Sequence, residues 1–281
     1  IKTIKGFTIA KQKHCGNMKH TNTNKSSLFG FRFDNGSAHT ARTMMLEDLQ
    51  LLLSYVSNQD SPKNDYLKAV TEDNCLGKRS VKTRTLTSRH LVYLYSLDPS
   101  ITIFQALRYF WDRDVDSQPL LALLCSYSRD SLLRVSAPLI VQLTEGETIA
   151  RVDLEEYINE KYPDRFSKAT LKSTAQNLNS TWTKSGHLVG KTKKIRARAM
   201  ATPGSVSYAL FLGYLTGIRG ESLFTTEYAS LLDCSKAHLI ELAEDASRRG
   251  WIIFKRIENV IEVQFYNLLT AQEREWILEQ N

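Results

Sequence analysis

The chain lacks the signatures by which most nucleotide-binding, hydrolytic and metal-dependent enzymes declare themselves. Its 281 residues contain no G-x-x-x-x-G-K-[ST], no G-x-G-x-x-G after a strand and no G-x-S-x-G. The six histidines, at 14, 20, 39, 90, 187 and 238, show no HxxxH or HExxH spacing, so a zinc site lacks ligands. Cys15, Cys75, Cys125 and Cys234 lie far apart with no CxxC pair, which excludes a zinc ribbon or redox motif and leaves reduced thiols of a cytoplasmic protein. A long apolar run is also missing. The most apolar stretch, Pro119 to Leu143, is interrupted by Arg129, Asp130 and Arg134, and reads as two buried helices, not a membrane span. The expectation is a chain with no catalytic residues, no metal and no cofactor.

Acid is absent from one long segment. Between Arg165 and Arg198 stand nine Lys or Arg residues and no Asp or Glu. The whole chain has net charge +7, so this segment exceeds the entire excess. A concentrated positive surface points first at nucleic-acid phosphates. Apolar content of 42% and charged content of 24% are those of a globular protein with a sizeable core.

Residues 1–27 are polar and basic, with six Lys and no acid in the first 25, and are expected to be a flexible extension. Met18 is a candidate start, which makes 1–17 a tail or an upstream addition. Phe29, Phe31 and Phe33 alternate in a short extended segment. Helical periodicity then predicts about six helices: from Ser37 to about Val56, and from Lys63, Ser80, Ile101 and Gln118 onward, the last as a pair.

The second half changes character. A helix over Leu154–Lys161, a turn at Pro163-Asp164, a helix over Ser167–Lys184 and a β-prone stretch from His187 to Ala199 form a winged-helix pattern. Asp153, Glu155, Glu156 and Glu160 fall on the first of these helices. Pro203-Gly204 breaks the chain before a helix over Val206–Thr216. The pattern then recurs: a helix over Thr225–Leu232, a turn at Asp233-Cys234-Ser235, a helix over Lys236–Arg249, Gly250, and strands over Trp251–Phe254 and Val260–Phe265. The expected fold is mainly α: an extension over 1–27, a helical domain over 28–148, and winged-helix-like modules with short β-hairpins over 149–202 and 203–281.

On the Ser167–Lys184 helix, Leu171, Ala175, Leu178 and Trp182 share one face, predicted to be buried. The opposite face then presents Ala169, Ser173, Gln176, Asn177 and Ser180. Ser173, Gln176 and Asn177 are candidate base readers, while Lys168, Lys172 and Lys184 neutralise phosphates. Lys191, Lys193, Lys194, Arg196 and Arg198 are the candidate wing contacts, with 194, 196 and 198 on one strand face. Two alternatives compete: a solvated basic surface without a partner, and a winged helix used for protein contacts.

The second module fails the same projection. Its long helix exposes Glu241, Glu244 and Asp245, and Glu221 to Asn281 holds eleven acids against six bases. Such a face repels phosphate and suits self-association or a protein partner, with a purely structural cap as the competing reading. A second basic patch comprises Lys78, Arg79, Lys82, Arg84 and Arg89, with Lys82 and Arg89 seven apart on one helix face. The alternative is pairing of this patch with acids such as Glu47, Asp48 or Asp112.

The arrangement resembles the BrxA family of BREX phage-exclusion systems over most of residues 28–265. The likeness rests on Gly36-Ser37-Ala38 leading into Arg42-Thr43-Met44-Met45, on Asn74-Cys75-Leu76-Gly77-Lys78-Arg79-Ser80 opening a helix, and on the Leu-rich pair Leu120–Leu143. Thr216-Gly217-Ile218-Arg219-Gly220-Glu221-Ser222-Leu223-Phe224 and the second module complete it. The resemblance implies a small, non-enzymatic, mostly helical DNA-binding component of an antiphage defence system, with double-stranded DNA and other defence-system proteins as partners. A winged-helix transcriptional regulator and a protein adaptor are the competing readings. Charge alone does not separate DNA from RNA.

Overall fold

The computed structural model describes residues 26–258 and 260–278. The extension expected over 1–27 therefore lies outside the described residues, apart from Ser26 and Ser27. The fold is mainly helical, with two small antiparallel strand groups.

Six helices build the first half: α1 (Leu46–Tyr55), α2 (Lys63–Thr71), α3 (Val81–Tyr95), α4 (Thr102–Trp111), α5 (Gln118–Tyr127) and α6 (Ser131–Val141). Side-chain caps set several of their starts. Ser80 accepts from the Thr83 amide at the head of α3, and Asp130 from Leu133 at the head of α6. The helix expected from Ser37 to Val56 is broken. Ala38–Thr40 forms one 3-10 turn, and Met45 at φ 53° interrupts the chain before α1 begins. Thr43 Oγ1 accepts the Met45 amide at 3.1 Å and fixes that break. The apolar spacing is unaffected: Met44, Met45, Leu49, Leu52 and Leu53 are all buried.

The next group is β1 (Thr148–Ile149), α7 (Arg151–Lys161), α8 (Lys168–Lys184), β2 (Leu188–Val189) and β3 (Lys194–Arg196). The three strands are ordered β1-β3-β2, with Thr148 opposite Ile195 and Leu188 opposite Arg196. β1 is too short to show a period-2 pattern, and it straddles the boundary expected at 148/149. Ser167 caps α8 by accepting from Thr170.

The last group is α9 (Pro203–Leu215), α10 (Glu227–Ser230), α11 (Lys236–Arg248), β4 (Ile253–Ile257), β5 (Val260–Gln264) and α12 (Ala271–Leu278). β4 begins and ends later than expected: Ile257, which falls between the two expected strands, pairs with Val260. α9 is buried around nearly its whole circumference, from Gly204 to Leu215. That makes it the central helix, packed on α4, α5, α10 and α11. One core runs from Phe29 to Ile277 and crosses the boundaries expected at 148/149 and 202/203 without a break. No helix among the described residues is long and apolar enough to cross a membrane.

Candidate nucleic-acid interface

α8 carries two buried stripes. Leu171, Ala175, Leu178 and Trp182 face the core as their spacing predicts. Thr174 and Thr181 are also buried, and beside them Ser173 and Asn177 are half-buried. This second stripe packs on the broken segment 38–44. Asn177 Nδ2 donates to the His39 carbonyl at 2.9 Å, and Ser173 Oγ to the Thr40 carbonyl at 3.3 Å. Ser173 and Asn177 thus spend their polar groups on the chain's own backbone and do not form an open base-reading face. Of the three candidate readers, Gln176 alone is exposed.

The dock is anchored by a buried polar cluster. Thr181 Oγ1 accepts the Met44 amide at 2.9 Å and lies 3.0 Å from His39 Nε2. His39 Nδ1 lies 3.1 Å from Asp130 Oδ1, with both side chains at 0% exposure. Asp130 also accepts from the Ala38 amide at 2.7 Å and caps α6. Burial raises the Asp130 carboxyl, but His39 and the hydrogen bonds from Leu133 and Ser37 outweigh it and hold it below its ordinary range. The order hydroxyl, imidazole, carboxylate is that of a hydrolase triad. Here it is sealed from solvent and ties segment 38–44, α6 and α8 together.

The nine cations of the acid-free segment divide by partner. Arg196 is the clearest correction. Expected on the wing's phosphate face, it is 4% exposed and forms a two-pronged pair with Asp233, at 2.7 and 2.6 Å. Its side chain turns inward toward the α10–α11 turn, where Asp233 also accepts the Ala199 amide at 3.0 Å, while Arg198, expected on the same face, stays exposed. Lys184 pairs with Glu47 on the first turn of α1, and Arg198 pairs with Glu145 at 3.1 Å on the surface. Burial raises the Glu47 carboxyl, and the contact with Lys184, helped by a backbone hydrogen bond, more than reverses that. Arg165 donates to the Asn35 carbonyl and lies over the rings of Tyr162 and Phe166. Lys194 Nζ folds back to the Gly190 carbonyl at 2.6 Å, closing the β2–β3 turn. Gly190 is required there: its φ is 93°, and a Cβ would meet the Lys193 carbonyl oxygen at 2.3 Å.

Four cations remain: Lys168 and Lys172 on the exposed stripe of α8, and Lys191 and Lys193 on the β2–β3 turn. All four are exposed, and none has an ion pair among the described residues. The second patch divides likewise. Lys78 pairs with Asp48 at 2.7 Å, while Arg79, Lys82 and Arg89 are exposed without an ion pair among the described residues.

The structure also adds a residue the sequence reading passed over. Arg42 sits between α8 and α3, lining a cleft of about 350 Å³ with Lys78, Thr83, Thr87, Asn177 and Lys184. His90 is pushed below its ordinary value by burial and by the Arg42 and Arg89 charges. The signal was present as the Arg of the Arg42-Thr43-Met44-Met45 stretch, but a single cation in a helix pattern carries no spacing information.

Around α11 the acids are largely satisfied within the molecule. Asp245 binds Arg248 and Arg249, Glu241 lies 2.9 Å from His238, and Glu221 pairs with Lys236. The β4–β5 hairpin carries exposed apolar residues, Ile257 and Val260 at 74% and 71% exposure. No group of three or more His, Cys, Asp or Glu suited to a metal ion occurs among the described residues. No protein-family model matches the chain, and no curated protein is similar to it.

Proposed function

We propose that this chain is a non-enzymatic, duplex-DNA-binding accessory protein of a BREX-like antiphage defence system. It holds DNA by its phosphates through a winged helix formed by α6, β1, α7, α8, β2 and β3. Three helices followed by a turn between paired strands, with the strand before α7 closing the sheet, is the order such a module requires. The observation that carries the reading is the state of Lys168, Lys172, Lys191 and Lys193. They stay exposed and free of acid partners, while most other cations of the same segment are neutralised or tied to backbone. Unpaired cations on a helix and on its adjacent turn suit two neighbouring stretches of phosphate backbone.

Because Ser173 and Asn177 are bonded to segment 38–44, binding is proposed to be largely independent of sequence. That separates this reading from an operator-reading regulator, which needs those amide and hydroxyl groups at base edges. The acidic third of the chain, with its exposed Ile257 and Val260, is proposed to face protein partners of the system or a second copy. The test is the Lys191→Ala/Lys193→Ala double variant. It should weaken binding equally on unrelated duplexes and flatten the salt dependence by about 2 in log–log slope. Unchanged binding by this variant would remove the turn from the interface.

A further inference from the structure

The two basic patches are far apart in sequence but meet in space. Segment 38–44 lies between α8 and α3. On one side it holds Ser173 and Asn177; on the other, the Arg42 and Arg89 charges both act on His90. The cleft at this junction is lined by Arg42, Thr83 and Thr87 and by the Glu47 and Asp48 carboxylates, while the Asn177 amide on its wall is already donated to the His39 carbonyl. Lys78 and Lys184 also line it, each held by an acid, Asp48 and Glu47. Arg42 has no ion pair among the described residues; its Nη1 reaches only the neighbouring Ala41 carbonyl at 3.0 Å.

We infer that this cleft is a second phosphate-contact point, centred on Arg42. It joins Lys82 and Arg89 of α3 to Lys172 of α8 as one track for duplex DNA. The inference rests on the DNA-binding reading above and adds the helical half of the chain to the interface. Arg42 supplies a planar donor fork suited to a phosphate, and the threonine hydroxyls supply neutral donors beside it. Glu47 acts as a brake: it lies beside the track and occupies Lys184, so removing its charge should strengthen the contact.

The experiment compares wild type, Arg42→Gln, Arg89→Gln, Arg42→Lys and Glu47→Gln by salt titration on one random-sequence duplex. Arg42→Gln and Arg89→Gln should each lower the log–log slope by about 1, with Arg42→Lys close to wild type in slope. Glu47→Gln should bind several-fold tighter, a gain that misfolding does not mimic. If wild type binds and loses slope on Lys191→Ala/Lys193→Ala, but both glutamine variants and Glu47→Gln match it, the cleft is not part of the track. If wild type does not bind duplex, the parent reading fails along with this one. With the titration repeated on single-stranded RNA, a loss of slope seen on RNA and not on the duplex would overturn duplex DNA as the occupant.

Discussion

Replacing Arg196 with Ala separates a structural cation from a binding one. Arg196 looks like a wing residue in the sequence, yet its guanidinium is buried against Asp233 in a two-pronged pair. Removing it strands the Asp233 carboxylate, whose side chain is only 13% exposed. Breaking one half of a buried pair costs about 3–5 kcal/mol, because the remaining charge stays desolvated and unpaired. Asp233 keeps the Ala199 amide at 3.0 Å and some contact with water, so the lower end, about 3 kcal/mol, applies. The guanidinium also bonds the His187 carbonyl at 3.3 Å, so β3 should loosen from the start of β2. Urea unfolding followed by Trp fluorescence reads the loss as a lower midpoint with an unchanged m-value. The slope of DNA binding against salt, measured below the unfolding midpoint, should stay at the wild-type value. The reasoning is refuted if the midpoint is unchanged and the slope falls by about 1, since Arg196 would then be a phosphate contact.

Three further outcomes follow from the same geometry. Thr181→Val keeps the shape but orphans the Met44 amide and a His39 nitrogen, and should destabilise by about 2–4 kcal/mol in the same unfolding assay. Asn177→Ala should cost about 1 kcal/mol of stability and leave base preference unchanged in a duplex selection experiment. Stability should also fall in acid through His187, which burial and Arg196 push from 6.5 to about 4. Its folded value is depressed, so the unfolded chain binds the proton more tightly; the stability is complete above pH 6.5 and is lost as pH falls toward 4. That shift is worth on the order of 3 kcal/mol, and His187→Gln should flatten the pH dependence of the thermal midpoint over this window.

Much of the fold was legible because apolar spacing is a local signal. The core face of α8, the split of the Leu-rich stretch at Asp130 and the helices around Asp233-Cys234-Ser235 all follow from it. What stayed hidden was polar and long-range. Thr181 buries without belonging to the apolar stripe, because segment 38–44 offers it the Met44 amide and the His39 ring, 137 and 142 residues away. Likewise, a run of cations without local acid seemed uncompensated only along the chain. Glu47, Glu145 and Asp233 reach it from elsewhere in the fold, and Asp233 comes from the module whose acids appeared to belong to a separate function. Charge runs therefore marked the right region but overcounted its free cations. β1, two residues long, carries no pattern of its own and is defined only by its pairing with β3.

The central claim is that exposed lysines on α8 and on the β2–β3 turn hold duplex DNA without reading its sequence. It is tested most directly by fluorescence anisotropy of the wild-type protein on two unrelated duplexes of equal length, titrated from about 50 to about 200 mM salt, where phosphate contacts weaken most visibly. Both duplexes should bind with affinities within a few-fold and with parallel log–log slopes of about −4 or steeper, from four or more phosphate contacts. No binding at about 50 mM salt, or a preference for one duplex by several orders of magnitude, would contradict it.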